Sequence, residues 1–410
     1  MANTRIQNSN QSPVAISRRR FIAGTTALAT VAATRRSAFG SQPKGKYRVA
    51  VIGHTGQGNY GHGVDKVWLE VPETEIVAVA DASESGLAAA VKRLKAPKGY
   101  ADYRQMLDEA KPDLVAVGPR WLDQHRDMVV AAAQSGARGI YTEKPFCRTM
   151  AEADEMLAAC QKNKVKLAIA FQTRYSPVLP VVREIIESGQ IGQVLELRGQ
   201  GKSDRRGGGE DLWVLGTHVF NLMNHFGGQP LWCFGTVEQD GRPISKEDVK
   251  PGAEGIGLLA GDTVHATWRM ADGPVARFDS VRNMGGRPSR FGLWICGSKG
   301  VIELHTGYLP AAYFLPDPAW SPGRTGKKWL PISSAGVDKP EPLKNTSLHG
   351  GNILAVKDLI AAIEEDRQPL ADIHAARTAT EMIASVFESQ RLGKPVTFPL
   401  ANRQNPLSMM

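Results

Sequence analysis

Apolar and polar positions follow two rhythms along the chain. From residue 45 to about 170, short apolar and β-branched runs recur at 47–52 (YRVAVI), 76–80 (IVAVA), 114–117, 139–142 and 167–170. Near-continuous apolar strands are buried on both faces, as in a parallel sheet. Segments 61–70, 84–95, 102–110, 123–135 and 150–163 between them read as helices, with Asp102 and Asp123 placed as N-caps. Strands alternating with helices of this length predict a doubly wound α/β domain over 45–170.

After residue 175 the rhythm changes. A helix is expected over 176–188. Strand-like runs then follow at 193–199, 231–238, 262–270, 275–282, 291–296 and 300–304, interrupted early by a helix at 216–226. Alternating apolar and polar positions predict a large, open, mainly antiparallel sheet with one covered face. Residues 305–350 hold seven prolines and read as a long irregular excursion that shapes a pocket. Helices at 351–365 and 373–391 close an α+β domain over 171–400.

Composition narrows the class. A 410-residue chain that is 42% hydrophobic can bury a large core and is not a disordered protein. No run supplies the ~20 apolar residues of a spanning helix, so a polytopic membrane protein is excluded. The net charge of +9 suggests a nucleic-acid partner at first sight. Residues 1–40, however, hold six arginines and no acid, and the remainder carries only +3. That remainder gives no electrostatic footprint for nucleic acid. The segment Ser17-Arg18-Arg19-Arg20-Phe21-Ile22, followed by a weakly apolar run, predicts a twin-arginine export signal over 1–40. Processing is expected near Ala38-Phe39-Gly40, and a periplasmic or otherwise exported protein follows. Cys147, Cys160, Cys233 and Cys296 show no metal spacing and read as partly buried thiols. No metal is expected.

The candidate chemistry begins where the first strand ends, at Gly53-His54-Thr55-Gly56-Gln57-Gly58-Asn59-Tyr60-Gly61. A dinucleotide site needs glycines here for a tight turn, for close approach of pyrophosphate, and for packing of helix on strand. Gly53 and Gly58 fit that frame, with Thr55 in place of its middle glycine; a literal G-x-G-x-x-G also runs from Gly56. The following helix would face the phosphates with its N-terminus. Asp81 ends the second strand and is expected to accept from a ribose hydroxyl, which favours NAD, with NADP possible. The fourth apolar strand ends in Glu143-Lys144-Pro145. A lysine at that sheet edge points toward a nicotinamide cleft and can hydrogen-bond or relay the proton of a hydroxyl. Pro119 and His125 follow the third strand at the same edge. A second group is Gly207 to Asn221, a glycine run opening a helix that carries His218 and Asn221 on adjacent turns.

In these residues the chain resembles the Gfo/Idh/MocA oxidoreductases, over roughly residues 46–400. The likeness rests on the AVIG loop, Asp81, Tyr103-Arg104-Gln105-Met106-Leu107, Pro119 and above all Glu143-Lys144-Pro145 with Thr149. Arg174-Tyr175-Ser176-Pro177, Ile191-Gly192 and the closing Pro369-Leu370, Glu388-Ser389 and Gly393-Lys394-Pro395-Val396 extend it. The resemblance implies a Rossmann domain, a second domain with an open sheet, and nicotinamide between them. It makes Lys144 and His218 catalytic. It also implies a homo-oligomer. Gly53, Thr55, Gly56, Gly58, Asp81, Pro119, His125, Glu143 and Lys144 form the expected cofactor set. Arg120, Arg174, Tyr175 and Asn221 are the expected substrate contacts. The sequence departs from the family's D-x-G-x-H at Val214 and from its H-x-x-D at Asn221, with Asp211 as a substitute only if its segment bends back.

The expected function is an exported oxidoreductase acting on a sugar or polyol hydroxyl with tightly held NAD. Two alternatives stand beside it. One is an NAD-dependent glycosidase that uses transient redox chemistry. The other is a non-catalytic binding protein of the same fold.

Overall fold

The computed structural model describes residues 45–410. The twin-arginine segment and its processing position lie outside them. Strands β1 (Tyr47–Ile52), β2 (Thr74–Ala80), β3 (Gly99–Tyr100), β4 (Leu114–Val117), β5 (Gly139–Thr142) and β6 (Lys166–Ile169) form one sheet in the order β3-β2-β1-β4-β5-β6. Every neighbouring pair is parallel. β4 and β5 are buried at each position, as their unbroken apolar runs require. Helices α1 (Glu84–Leu94), α2 (Tyr103–Ala110), α3 (His125–Gln134) and α4 (Met150–Lys162) cover the sheet. Asp102 caps α2 by accepting from Arg104 N–H. Asp123 is not a cap. It sits inside a short 3-10 turn, Leu122–Gln124, that precedes α3.

The helix expected over 61–70 is absent. Turns run to Lys66, and only Val67–Glu70 forms a 3-10 helix. Gly61 and Gly63 adopt φ of +66° and +89°, which a right-handed helix does not admit. Among the described residues no helix is long and apolar enough to cross a membrane.

The second sheet has 11 strands. Near its middle, β7 (Val194–Gln200) pairs parallel with Val275–Val281, while its other neighbour, Gly292–Gly297, is antiparallel. The sheet is therefore mixed and mostly antiparallel. The segment 305–350 is less irregular than expected: Ala312–Leu315 and Leu330–Ser333 extend the sheet edge. Helices α5 (Val178–Glu187), α6 (Gly209–Val214) and α7 (Gly216–Gly227) accompany this sheet. Inward-facing Cys233, Val237, Val264, Trp268 and Phe278 are buried. The long helix Ile373–Leu392 packs on strand β8 (Pro230–Gln239), on α7 and on α4, so one amphipathic element seals both sheets. Arg377 of that helix reaches Asp154 of α4 at 3.0 Å.

Candidate active site

The nucleotide end is built by β1, β2 and β4. A cavity of about 210 Å³ lies beyond their carboxyl ends, lined by Gly53, His54, Asp81, Ala82, Tyr103 and Gln124 among others. It opens beside the point where strand order reverses between β1 and β4, the position at which doubly wound sheets hold dinucleotides. Gly56 has φ of +87° and only open space where a Cβ would lie, so backbone is presented bare to a ligand. These features fit a dinucleotide.

The other loop glycines serve different contacts from those expected. A Cβ on Gly53 would fall 2.1 Å from the Tyr60 ring, and one on Gly58 2.3 Å from Arg120 N. Gly53 therefore admits Tyr60, and Gly58 admits the 118–121 loop. Asp81 is also used differently. It is 1% exposed and accepts from Thr55 Oγ1 at 2.6 Å, Tyr60 OH at 2.8 Å, Ser83 N–H at 2.9 Å and the Thr55 N–H. A carboxylate has about four acceptor positions, and these are taken inside the protein. Burial alone would raise its pKa, but the Thr55 and Ser83 bonds bring it below the ordinary value. Asp81 thus stays an anion that opposes a 2′-phosphate, while its hydrogen bonds lock the loop rather than wait for ribose.

The chemical end is built where β5 meets the second domain. Glu143 and Lys144 are 0% and 6% exposed, and the Lys144-Pro145 bond is cis. Glu143 Oε1 accepts from His62 N–H at 2.6 Å and lies 2.8 Å from His62 Nδ1, while Oε2 accepts from Lys144 N–H at 2.9 Å. Burial opposes its ionisation, but the His62 contacts prevail and hold it at about 2. Gly61 makes room for this carboxylate, since a Cβ there would sit 2.4 Å from Glu143 Cγ. Lys144 Nζ donates to Val214 O at 3.0 Å. Val214, the departure from the family's D-x-G-x-H pattern, thus holds the ammonium with its backbone carbonyl. Burial lowers the Lys144 pKa, partly offset by Glu143.

His218 stands on α7, edge-on to Phe171 with ring centroids 5.7 Å apart. Its Nδ1 is buried and has no hydrogen-bond partner among the described residues. Burial, then the Lys144 charge, lowers its pKa to about 3. Lys144 and His218 line one cavity of about 200 Å³ together with His62, Gln172, Thr173 and Phe291. Thr306, Gly307 and Leu348, from the two ends of the 305–350 excursion, complete its wall.

Several expected residues lie elsewhere. His125 is fully buried, with Nδ1 3.1 Å from Phe146 O and Nε2 2.7 Å from Pro119 O. It ties two loops together and leaves no nitrogen for a nucleotide; Pro119 contributes its carbonyl to that tie. Arg120 lies 4.0 Å from Glu254, outside the cavity wall. Tyr175 OH is held by Asp358 and the Ala371 N–H, and Arg174 faces His225 at 3.2 Å. Asn221 is 3% exposed and does not line the cavity. Asp211 does not reach His218. It accepts from Ser203 N–H and Ser280 Oγ at 2.8 and 2.6 Å, and burial raises its pKa. Sequence reasoning missed His62, although it follows the loop directly. The helix assigned over 61–70 left no reason to turn its side chain toward Glu143.

The Gfo/Idh/MocA model of an oxidoreductase family with an NAD-binding Rossmann fold matches residues 47–171, and that family's C-terminal domain matches residues 181–303. Levoglucosan dehydrogenase of Pseudarthrobacter phenanthrenivorans is 26% identical over 260 residues, which cover 55% of this chain and 64% of that protein. D-apiose dehydrogenase of Paraburkholderia graminis is 34% identical over 125 residues, 30% of this chain and 33% of that one. Among solved structures, levoglucosan dehydrogenase with NADH and levoglucosan superposes with a TM-score of 0.70 at 20% identity, over 86% of this chain and 100% of that one. An Agrobacterium radiobacter oxidoreductase in complex with NAD+, L-tartaric acid and magnesium gives 0.65 at 16% identity, over 86% of this chain and 98% of that one. These superpositions establish the shared fold.

Proposed function

We propose that this chain, which belongs to the Gfo/Idh/MocA oxidoreductase family, oxidises or forms a carbohydrate or polyol hydroxyl with NAD, in the cavity that Lys144 and His218 share. One observation carries this reading. A lysine from the end of a nucleotide-domain strand and a histidine from the second domain converge on a single cavity. Relatives named for sugar and polyol dehydrogenation support the substrate class.

Bound NAD would supply the hydride acceptor or donor. The chain's residues do the rest. The Lys144 ammonium donates to the substrate oxygen and stabilises the negative charge that develops there. Its tether to Val214 O fixes the direction of approach. His218, a neutral imidazole at neutral pH, lines the same cavity with its Nδ1 closed off by burial, so Nε2 is the nitrogen that meets the same hydroxyl or its neighbour. Phe171 and Phe291 help to exclude water, which strengthens both interactions. The test is NADH formation from NAD+ across a panel of aldoses, anhydrosugars and cyclic polyols. Turnover on at least one is expected. NAD binding with no oxidation or reduction of any member counts against the reading.

Export by the twin-arginine route, tight cofactor retention and self-association belong to the same proposal. The outer face of the second sheet carries Trp232, Phe234 and Tyr313, each more than a third exposed, which supports pairing with a second copy. The exported protein is expected to elute as an oligomer and to release one NAD(H) per chain on denaturation. Replacing Arg18 and Arg19 by Lys should leave it in the cytoplasm. A monomer with an empty nucleotide domain that is exported despite the double substitution contradicts this part.

A further inference from the structure

The cavity has a proton acceptor of its own, and it is neither of the two residues expected. His62 lines the Lys144–His218 cavity and also a larger outer cavity of about 570 Å³, whose wall includes Asn59, Lys66, Arg93 and His349. Its side chain is 38% exposed, so it stands between the buried chemistry and solvent. Its partner is a fully buried, ionised carboxylate, Glu143, which can only accept. Nδ1 at 2.8 Å must therefore carry the hydrogen, and the lone pair of neutral His62 is on Nε2. The backbone is fixed as well: His62 N–H donates to the same carboxylate oxygen, and His62 O accepts from Asn352 Nδ2 at 3.0 Å. Asn352 is itself held by Tyr141 OH and Gln172 Nε2. A carboxylate that orients an imidazole and selects its tautomer is the arrangement that makes histidine a directed base.

We propose that His62, oriented by Glu143, is the base that takes the substrate hydroxyl proton and passes it to solvent. This rests on the dehydrogenase reading given above. In oxidation, the O–H bond breaks as its proton joins His62 Nε2. The electrons of that bond close the C=O double bond, and the C–H pair leaves as hydride to the nicotinamide. Lys144 keeps its protons and holds the oxygen. His218 has too little proton affinity to retain the proton and serves as a positioning residue. The arrangement also accounts for Val214 and Asn221, since a carboxylate beside His218 has no task when Glu143 supports a different imidazole.

The test uses the full chain with NAD and a carbohydrate that it oxidises. His62→Ala should lower kcat by about 100-fold with KM changed little, the loss expected when a general base is removed. Added imidazole should restore part of the rate. His349→Ala, which removes the other imidazole of the outer cavity, should stay within about two-fold of wild type, as expected of a group that takes no part in the chemistry. A second readout needs no turnover. Imidazole nitrogen NMR of the neutral form of His62 should show the hydrogen on Nδ1 and the lone pair on Nε2. Unchanged kcat in His62→Ala, loss that imidazole does not rescue, or the opposite tautomer would each overturn the inference. Wild-type protein inactive on every carbohydrate sinks the functional reading instead, and the nitrogen spectrum still reports on the His62–Glu143 pair.

Discussion

Lys144→Ala is expected to lower kcat/KM for the proposed carbohydrate substrate by roughly 10³-fold, the upper range for removing one preorganised charge from a water-excluded site. The physical case is the burial of its ammonium. Lys144 is 6% exposed, its ammonium donates to Val214 O alone among the described residues, and Glu143 supplies the compensating charge one residue away. A charge held this way is worth far more against a developing alkoxide than the same charge in water. NAD affinity should change less than about three-fold, because the cavity that fits the dinucleotide lies beyond β1 and β2 and is lined by residues other than this one. The split between cofactor titration and turnover separates catalysis from mere positioning of the nucleotide. Lys144→Arg should not rescue, since a planar guanidinium cannot reproduce a compact ammonium at a site closed by Val214 and Leu215. A Lys144→Ala protein that turns over at the wild-type rate would remove the lysine from the chemistry.

The sheet edges that carry this chemistry were legible in the sequence, and the distribution of hydrogen bonds among neighbouring side chains was not. Apolar runs located β1, β2, β4, β5 and β6 within a residue or two, because burial on both faces leaves little freedom in composition. The strand end places Lys144 at the cleft, the family resemblance adds His218, and both residues line one cavity. Residue type and position alone suggest roles for Asp81, His125 and Asp211, and in the structure each bonds partners inside the protein. Nothing in one sequence says that Tyr60 folds back over Gly53 to reach Asp81, or that Ser280, 69 residues away, bonds Asp211. The missing helix after β1 has the same origin. A helix over 61–70 includes Gly61 and Gly63. Their positive φ reverses the chain and brings His62 against Glu143, 81 residues on.

That contact makes Glu143 the main acid-sensitive group of the site, and its substitution has the largest expected effect on stability. In the folded protein its pKa is about 2, against 4.5 for an ordinary glutamate. A depressed carboxylate stabilises the fold above the unfolded pKa and loses that contribution as pH falls through the folded one. The window is therefore from about 4.5 down to about 2. A shift of this size in a fully buried group corresponds to about 3 kcal/mol at neutral pH. Glu143→Gln should lower the urea unfolding free energy by that order at neutral pH, and the two proteins should converge near the bottom of the window. His218 adds a second slope of the same sign. It is held neutral down to about 3, so the unfolded chain alone takes up a proton below 6.5, and stability falls between those values. Glu143→Gln should keep the His218 slope above about 4.5 while losing the steeper one beneath it. A wild type that loses stability relative to Glu143→Gln as pH rises above about 4.5 would mean that the carboxylate is not ionised in the folded protein. The case for a His62 oriented by an anion would then fail with it.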